Sequence, residues 1–402
     1  MDHNSAYFHM YRQGKKDMYV NHFLAFAEKY SQPIPEHYQA LENKHEDLIL
    51  AINYAYAEKK LDVVRRFLLA IGDYLYVRGY WQEYHEWLTR VILLSDEYDD
   101  EYDDEIIDLT AEMADLARDS GDYNLANQLC ERNLNICKKL ADEKGIADTL
   151  YSLGRLAHNI NDYTKANEFY QKGMEIATTI NYRPAIANIL HRLGMLAKKD
   201  GDYEKTLEFY QQSLAIRQEL GIEVSISQSF HALGTLSLTR KNYSDALQWF
   251  DQSLVIKRKL GYKVGISDTL QNMAIIEKKE GHDEKAYLLS LECLDINRKI
   301  GRKGAMSVTL NNLAMIAKKL GKYDESENFY KQAIEIGEQL GNIVKVGLRK
   351  FNLALLYEKQ NRLEESLVLL EQSVEIAQQK QPAKLTARQE VLNRVRTKLI
   401  QH

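Results

Sequence analysis

The sequence predicts an all-α chain, a solenoid of stacked helical hairpins, and three observations carry that reading. The stretch Gly304 to Ile343, GAMSVTLNNLAMIAKKLGKYDESENFYKQAIEIGEQLGNI, recurs in register every 40 residues; Pro184 to Glu223 repeats its turn and its apolar spacing. One column of the register is isoleucine throughout, as Ile136, Ile176, Ile216, Ile256, Ile296, Ile336 and Ile376. Two further columns hold small residues. Ala114, Gly154, Gly194, Gly234, Ala274, Ala314 and Ala354 occupy the first half of each unit, and Ala126, Ala166, Thr206, Ala246, Ala286, Ser326 and Ser366 the second. A small residue on each half lets two helices approach closely. A single hairpin cannot bury its apolar face, so neighbours must stack into a continuous core.

Within a unit the punctuation defines the two helices. The first half stops at Gly121, Asn161, Gly201, Lys241, Gly281, Gly321 and Asn361, all but Lys241 being residue types that accept a left-handed C-cap. The second half stops at Asn181, Gly221, Gly261, Gly301 and Gly341. Between the stops, Leu310, Leu313, Ala314 and Ala317 keep helical spacing, as do Ser326, Phe329, Tyr330 and Ala333.

Leu193-Gly194 in the first helix, with Thr206 and Tyr210 in the second, resembles the tetratricopeptide repeat family, and the match returns about seven times. The resemblance implies a right-handed superhelix of hairpins. Three departures stand out: the period is 40 rather than about 34, the closing Pro is missing, and Leu150, Leu190, Phe230, Leu270 or Leu310 stands where an early aromatic is usual. Longer second helices with a Leu-Gly stop are similar to the subfamily of kinesin light chains, bacterial peptide-pheromone receptors and the sensor arms of signalling NTPases.

Before the repeats, helices are expected over Lys16 to Tyr30 ahead of a break at Pro33 and Pro35, then from about Asn43 to Glu58, over Leu61 to Val77, and over Tyr80 to Leu94. The order HFLAFAEKY, LENKHEDLILAINYAY, VVRRFLLAIGDYLYVRGYWQEYHEWL, from Tyr19 to Leu94, resembles the helical segment joining the winged-helix part of NB-ARC-type signalling ATPases to their repeat sensors. The chain carries no G-x-x-x-x-G-K-[ST] phosphate loop. It therefore reads as the sensor part of such a machine or as a stand-alone relative. The chain divides into residues 1–42, an N-terminal extension; 43–103, degenerate hairpins; 104–381, about seven repeats; and 382–402, a capping helix.

Composition narrows the functional classes. The 402 residues carry a net charge of −5 and only four prolines, as expected of an ordered helical chain. No apolar run reaches the roughly 18 residues a membrane span needs, and the first ten residues lack a signal-peptide core. Cys130, Cys137 and Cys293 are too few and scattered for a disulfide framework, so a reducing cytoplasm is expected, with the first two as buried small hydrophobes. There is no H-E-x-x-H, C-x-x-C or G-x-S-x-G, so no enzyme, metal or cofactor site is expected. A pI near 6.2 with no basic stripe in the repeats disfavours nucleic acid.

Two charged segments read as surface. Asp96 to Glu105, eight carboxylates in ten positions, is a solvated loop whose last acids favour the next helix N-terminus, with docking of a basic partner or a weak cation site as the alternative. Lys384, Arg388, Arg394, Arg396 and Lys398 belong to a solubilising cap rather than a binding patch.

The remaining candidate is the face lined by the first helices. Positions three before, one after and four after the small residue give Tyr151, Arg155 and His158; His191, Met195 and Lys198; His231 and Thr235; Gln271, Ile275 and Lys278; Asn311, Met315 and Lys318. The strip is polar and aromatic with a basic tilt, suited to an extended peptide or helix carrying acidic groups. His191 and His231 predict pH-dependent binding near the imidazole pKa of about 6.5. Asn272, Asn312 and Asn352 are assigned to bonds between helices. The favoured function is a non-enzymatic scaffold that captures a protein or peptide segment. The alternatives are the ligand-sensor arm of a STAND/NB-ARC-type ATPase or transcription regulator, and a small-molecule receptor or enzyme using Tyr54, Tyr74, Tyr76, Trp81 and Trp87.

Overall fold

The computed structural model describes the backbone over residues 3–32, 34–97 and 104–401, and the side chains over 14–32, 34, 36–80, 82–91 and 107–401. Among the described residues there are 20 α-helices and no strand. They fall into two compact units, Met1–Tyr262 and Lys263–His402.

The first unit opens with α1 (His3–Lys29), α2 (Pro35–Glu42), α3 (His45–Ala57), α4 (Leu61–Arg78) and α5 (Trp81–Glu97). The predicted break falls between α1, which ends at Lys29, and α2, a short helix the sequence reading does not name, which begins at Pro35 itself. Ile34 is extended at φ −118° and Pro35 falls in the first turn of α2, where its missing N–H leaves no bond unmade. Only Tyr38 and Leu41 of this short helix reach the core, which is why its periodicity is illegible. The unit continues with four hairpins: α6 (Asp104–Ser120) and α7 (Tyr123–Leu140), α8 (Glu143–Asn159) and α9 (Tyr163–Thr179), α10 (Arg183–Lys199) and α11 (Tyr203–Leu220), α12 (Glu223–Thr239) and α13 (Tyr243–Lys259). The second unit holds α14 (Lys263–Glu280) with α15 (Asp283–Lys299), α16 (Lys303–Lys319) with α17 (Tyr323–Gln339), and α18 (Ile343–Lys359) with α19 (Leu363–Lys380). A 3-10 turn, Pro382–Lys384, leads into α20 (Leu385–Gln401).

Every stop named from sequence takes the left-handed conformation, including Lys241 at φ 62°, and Ala141 joins them at φ 53°. The bonds around these stops close one helix and open the next. The N–H groups of Asp122, Asp162 and Asp202 donate back to the carbonyls of Ala117, Ala157 and Ala197 at 2.8, 2.8 and 3.0 Å. Their carboxylates then accept from the N–H of Leu125, Lys165 and Lys205, each at 3.1 Å.

The small columns are filled by rings. A Cβ on Gly154, Gly194 or Gly234 would lie 2.4, 2.6 or 2.7 Å from the ring of Tyr170, Tyr210 or Phe250, the residue 16 positions on. Side-chain to backbone bonds across four of the hairpins add a contact that no sequence spacing announces. Asn133 donates to the Ile107 carbonyl, and Ser213, Ser253 and Ser373 donate to those of Ala187, Ser227 and Gly347 at 2.7 to 2.9 Å. Asn312 and Asn352, expected in that role, form no hydrogen bond among the described residues. Replacing Lys241 by Gly removes the steric cost of a Cβ at positive φ, and should raise stability by about 0.5–1 kcal/mol in urea titrations.

Candidate functional site

Each ring that fills a glycine notch also floors the first-helix face. In the first unit Tyr170 lies 6.3 Å from Tyr151, Tyr210 stacks on His191 at 5.2 Å and 26°, and Phe250 lies 5.2 Å from His231. The residues three before the glycine are thus half-buried on aromatic supports. The candidates crossing the unit boundary form two patches, each described by itself.

In the first unit the patch centres on Tyr151 and on Arg192, a residue outside the columns chosen from sequence. The Arg192 Nε donates to the Tyr151 Oη at 3.3 Å, and its Nη1 lies 3.4 Å from the Met195 sulfur. Arg155 and Arg192 both lie over the Tyr151 ring, 5.4 and 5.8 Å from its centroid. Burial pushes the Tyr151 phenol up, and the two guanidiniums more than offset that, holding it below its ordinary value. Arg155 itself is held by Asp115. His158 packs edge-on to Tyr163 at 5.4 Å, and the Thr235 hydroxyl bonds its own helix at Ala232. Arg192 was legible as the one basic residue in the column Glu112, Ser152, Arg192, Ala232, Asn272, Asn312, Asn352.

Elsewhere in the unit Lys259 pairs with Glu223 at 2.6 Å, Arg240 with Glu204 at 3.0 Å, and Arg183 with Glu219. Arg192 and Lys198, on the first-helix face, pair with no carboxylate among the described residues. Behind them Arg217 is buried, bonded to Asn188, Ser225 and Ser229. The imidazoles do not titrate where the sequence reading puts them. Burial, then Arg217 and Arg192, hold His191 well below its usual range, and burial, then Lys257 and Lys198, push His231 down to about 3. Both rings are neutral at physiological pH.

In the second unit the Lys278 Nζ and the Asn311 Nδ2 lie 3.9 and 3.6 Å from the Met315 sulfur, and Lys318 forms no ion pair among the described residues. Gln271 has no ring beneath it. The aromatic column reads Tyr170, Tyr210, Phe250, Ser290, Tyr330, and where Ser290 replaces a ring a cavity of about 100 Å³ remains, lined by Gln271, Ala274, Lys278, Cys293, Asn312 and neighbours.

The first unit holds a further cavity of about 250 Å³ between α4, α5 and α6, lined by Gly72, Asp73, Tyr76, Tyr84, Glu112, Asp115, Leu116, Asp119 and Arg155. Burial, then the charges of Asp73 and Asp115, push the Glu112 carboxyl up to about 8. Of the five N-terminal aromatics, Tyr74 and Trp87 are core residues, Tyr54 is half-buried against that core, and Tyr76 lines the cavity; the Trp81 side chain lies outside the described residues.

Other sequence candidates resolve as structure. Cys130 and Cys137 are buried free thiols. Arg394 and Lys398 pair with Glu358, Arg396 with Glu371, and buried Arg388 donates to the Ser373 carbonyl, so the basic end caps the last repeat. The acidic segment 96–105 lies outside the described side chains. Glu277, Glu280 and His282 offer a triad of ligand atoms, but Lys285 sits 2.6 Å from the Glu277 carboxylate and supplies its countercharge.

A solenoid of 40-residue helical hairpins with a polar first-helix face defines an interaction scaffold. The tetratricopeptide repeat model matches residues 106–179, 185–259, 265–339 and 305–379, and the chain belongs to the tetratricopeptide repeat family. A search of curated proteins found no match. Among solved structures, a STAND-type signal-transduction ATPase with a tetratricopeptide repeat sensor from Pyrococcus horikoshii superposes on 95% of this chain and 55% of its own, with 16% identity and a TM-score of 0.64. The APC/C hetero-tetramer Cut9-Hcn1 matches over 88% of this chain and 60% of its own, with 15% identity and a TM-score of 0.59. A Rap protein complexed with Competence and Sporulation Factor matches over 85% and 99%, with 13% identity and a TM-score of 0.50. This chain thus spans little more than half the length of the ATPase. These likenesses show the fold. No helix among the described residues is long and apolar enough to cross a membrane.

Two stability measurements follow. Ser290→Leu, which copies the pairing of Leu370 with Ala354 in the last repeat, should fill the cavity and raise stability by about 1 kcal/mol in urea titrations. Glu112 has a raised folded-state pKa, so its contribution is full below the unfolded value near 4.5 and is lost as pH rises toward about 8. Glu112→Gln should therefore leave stability unchanged near pH 4 and raise it by about 3 kcal/mol at pH 7.

Proposed function

We propose that the chain is a non-enzymatic scaffold that captures an acidic peptide segment on the first-helix face of its first unit. The observation carrying this reading is charge: Arg192 and Lys198 share the first-helix face with no carboxylate partner among the described residues, beside the Tyr151 ring. A peptide carboxylate would meet the Arg192 fork and the Lys198 ammonium. The neutral rings of His191 and His231, with Tyr151, would pack its backbone. Tyr151, His158, His191, Met195, Lys198, His231 and Thr235 belong to this site, and Arg155 acts through Tyr151 rather than by direct pairing. Gln271, Lys278, Asn311 and Lys318 form a second patch with the same basic tilt. The absence of a membrane-length helix among the described residues is compatible with the cytoplasmic location we assign.

A second reading, the sensor arm of a signalling ATPase, is favoured by the archaeal STAND neighbour, whose likeness runs over 95% of this chain, aromatic N-terminal helices included. In that setting the same face captures the ligand and an attached module responds.

An array of peptides about a dozen residues long should retain acidic over basic sequences, and Arg192→Ala with Lys198→Ala should weaken fluorescence-anisotropy binding of the best one by tenfold or more. Because both imidazoles stay neutral, the affinity should be flat from about pH 5.5 to 8. Equal retention of acidic and basic peptides, or no loss in the double variant, contradicts the proposal.

A further inference from the structure

We propose that the cavity between α4, α5 and α6 binds an alkylammonium group, the chemistry shared by a lysine side chain and a free diamine. Four carboxylates and one guanidinium line it. Asp115 holds Arg155 and Arg118, and Asp119 also holds Arg118, which leaves Asp73 and Glu112 without a cation. Two polar atoms inside lack partners: the hydroxyl of Tyr84, only 3% exposed, and the Glu112 Oε2. Both converge on Gly72. A Cβ there would lie 2.3 Å from the Tyr84 Oη and 3.3 Å from the Glu112 Oε2, so glycine is what makes room for these two groups.

An ammonium presents three donors and no acceptor. It can donate to the Glu112 and Asp73 carboxylates and the Tyr84 hydroxyl together. An adjoining space of about 580 Å³, lined by Tyr76, Gln82, His85 and Leu116, continues from the acidic end and has room for a methylene stem. The half-exposed Tyr76 ring is common to both spaces and can lie against the stem. An anion meets net negative charge here, and a bare metal ion makes no use of the apolar extension.

Binding should be coupled to a proton. Glu112, with its carboxyl pushed up to about 8, is largely neutral at pH 7, and a bound ammonium restores its charge. The charged and titratable groups facing it are Asp73 and Tyr76 on α4, Tyr84 on α5, Asp115, Arg118 and Asp119 on α6, and Arg155 on α8. At the periphery, His85 borders the adjoining space and Cys130, on α7, is pushed up to about 12.

The test is calorimetric titration of the full chain with cadaverine and with Nα-acetyl-lysine methylamide, using the Nε-acetylated form as control. At pH 7, in two buffers of different ionisation enthalpy, at least one amine should bind saturably with close to one proton released, and the control should not bind. Affinity should rise about tenfold from pH 7 to 9. Glu112→Gln should weaken binding and abolish both the proton release and the pH dependence. Tyr84→Phe should weaken binding about tenfold and keep the proton release, an arm independent of the Glu112 carboxyl. Binding of the lysine derivative assigns the site to a partner's side chain, and binding of cadaverine alone assigns it to a free amine. No binding of either amine, or unaltered binding and proton release in Glu112→Gln, overturns the proposal.

Discussion

The structure depends on a ring set into a glycine. Tyr170, Tyr210 and Phe250 each press against the backbone of the first helix of their own hairpin at Gly154, Gly194 and Gly234, where no Cβ stands in the way. The contact draws the two helices together and fixes their rotation, which carries the cross-hairpin bonds of Ser213 and Ser253 into reach. It also floors the functional face, since the other side of Tyr210 stacks on His191 and Phe250 lies beside His231. Packing and site are therefore one feature. Where Ser290 interrupts the column, a cavity appears beneath Gln271.

Much of this was legible because a 40-residue register repeats each local signal. The left-handed stops, the two small columns and the helix pairs follow from Gly, Asn and apolar spacing read seven times over, and even Lys241 complies once its neighbours define the turn. The N-terminal part has no such averaging. There α2 is too short to show a period, and Pro35, a helix breaker in isolation, begins a helix because only its first turn tolerates the missing N–H.

The site was legible in outline and not in its electrostatics. Spacing places His191, His231, Met195 and Lys198 on the first-helix face, but it cannot report that burial and neighbouring cations drive both imidazoles neutral. It cannot tell that Arg155 is occupied by Asp115, or that Arg192, off the chosen columns, reaches Tyr151. Nor does any motif announce the cavity at Gly72, whose parts, Asp73, Tyr84 and Glu112, come from three helices with no common register. Pairing emerges only in three dimensions: Arg192 and Lys198 have no carboxylate partner among the described residues, and a carboxylate-rich cavity lies in the same unit.

The most direct test of the account is a double-mutant cycle between Gly194→Ala and Tyr210→Ala, followed by urea denaturation. If the ring in the glycine notch sets the hairpin, Gly194→Ala costs about 2 kcal/mol in the native sequence and little in the Tyr210→Ala background, where the methyl enters vacated space. Costs that simply add, leaving no coupling between the two positions, would contradict it.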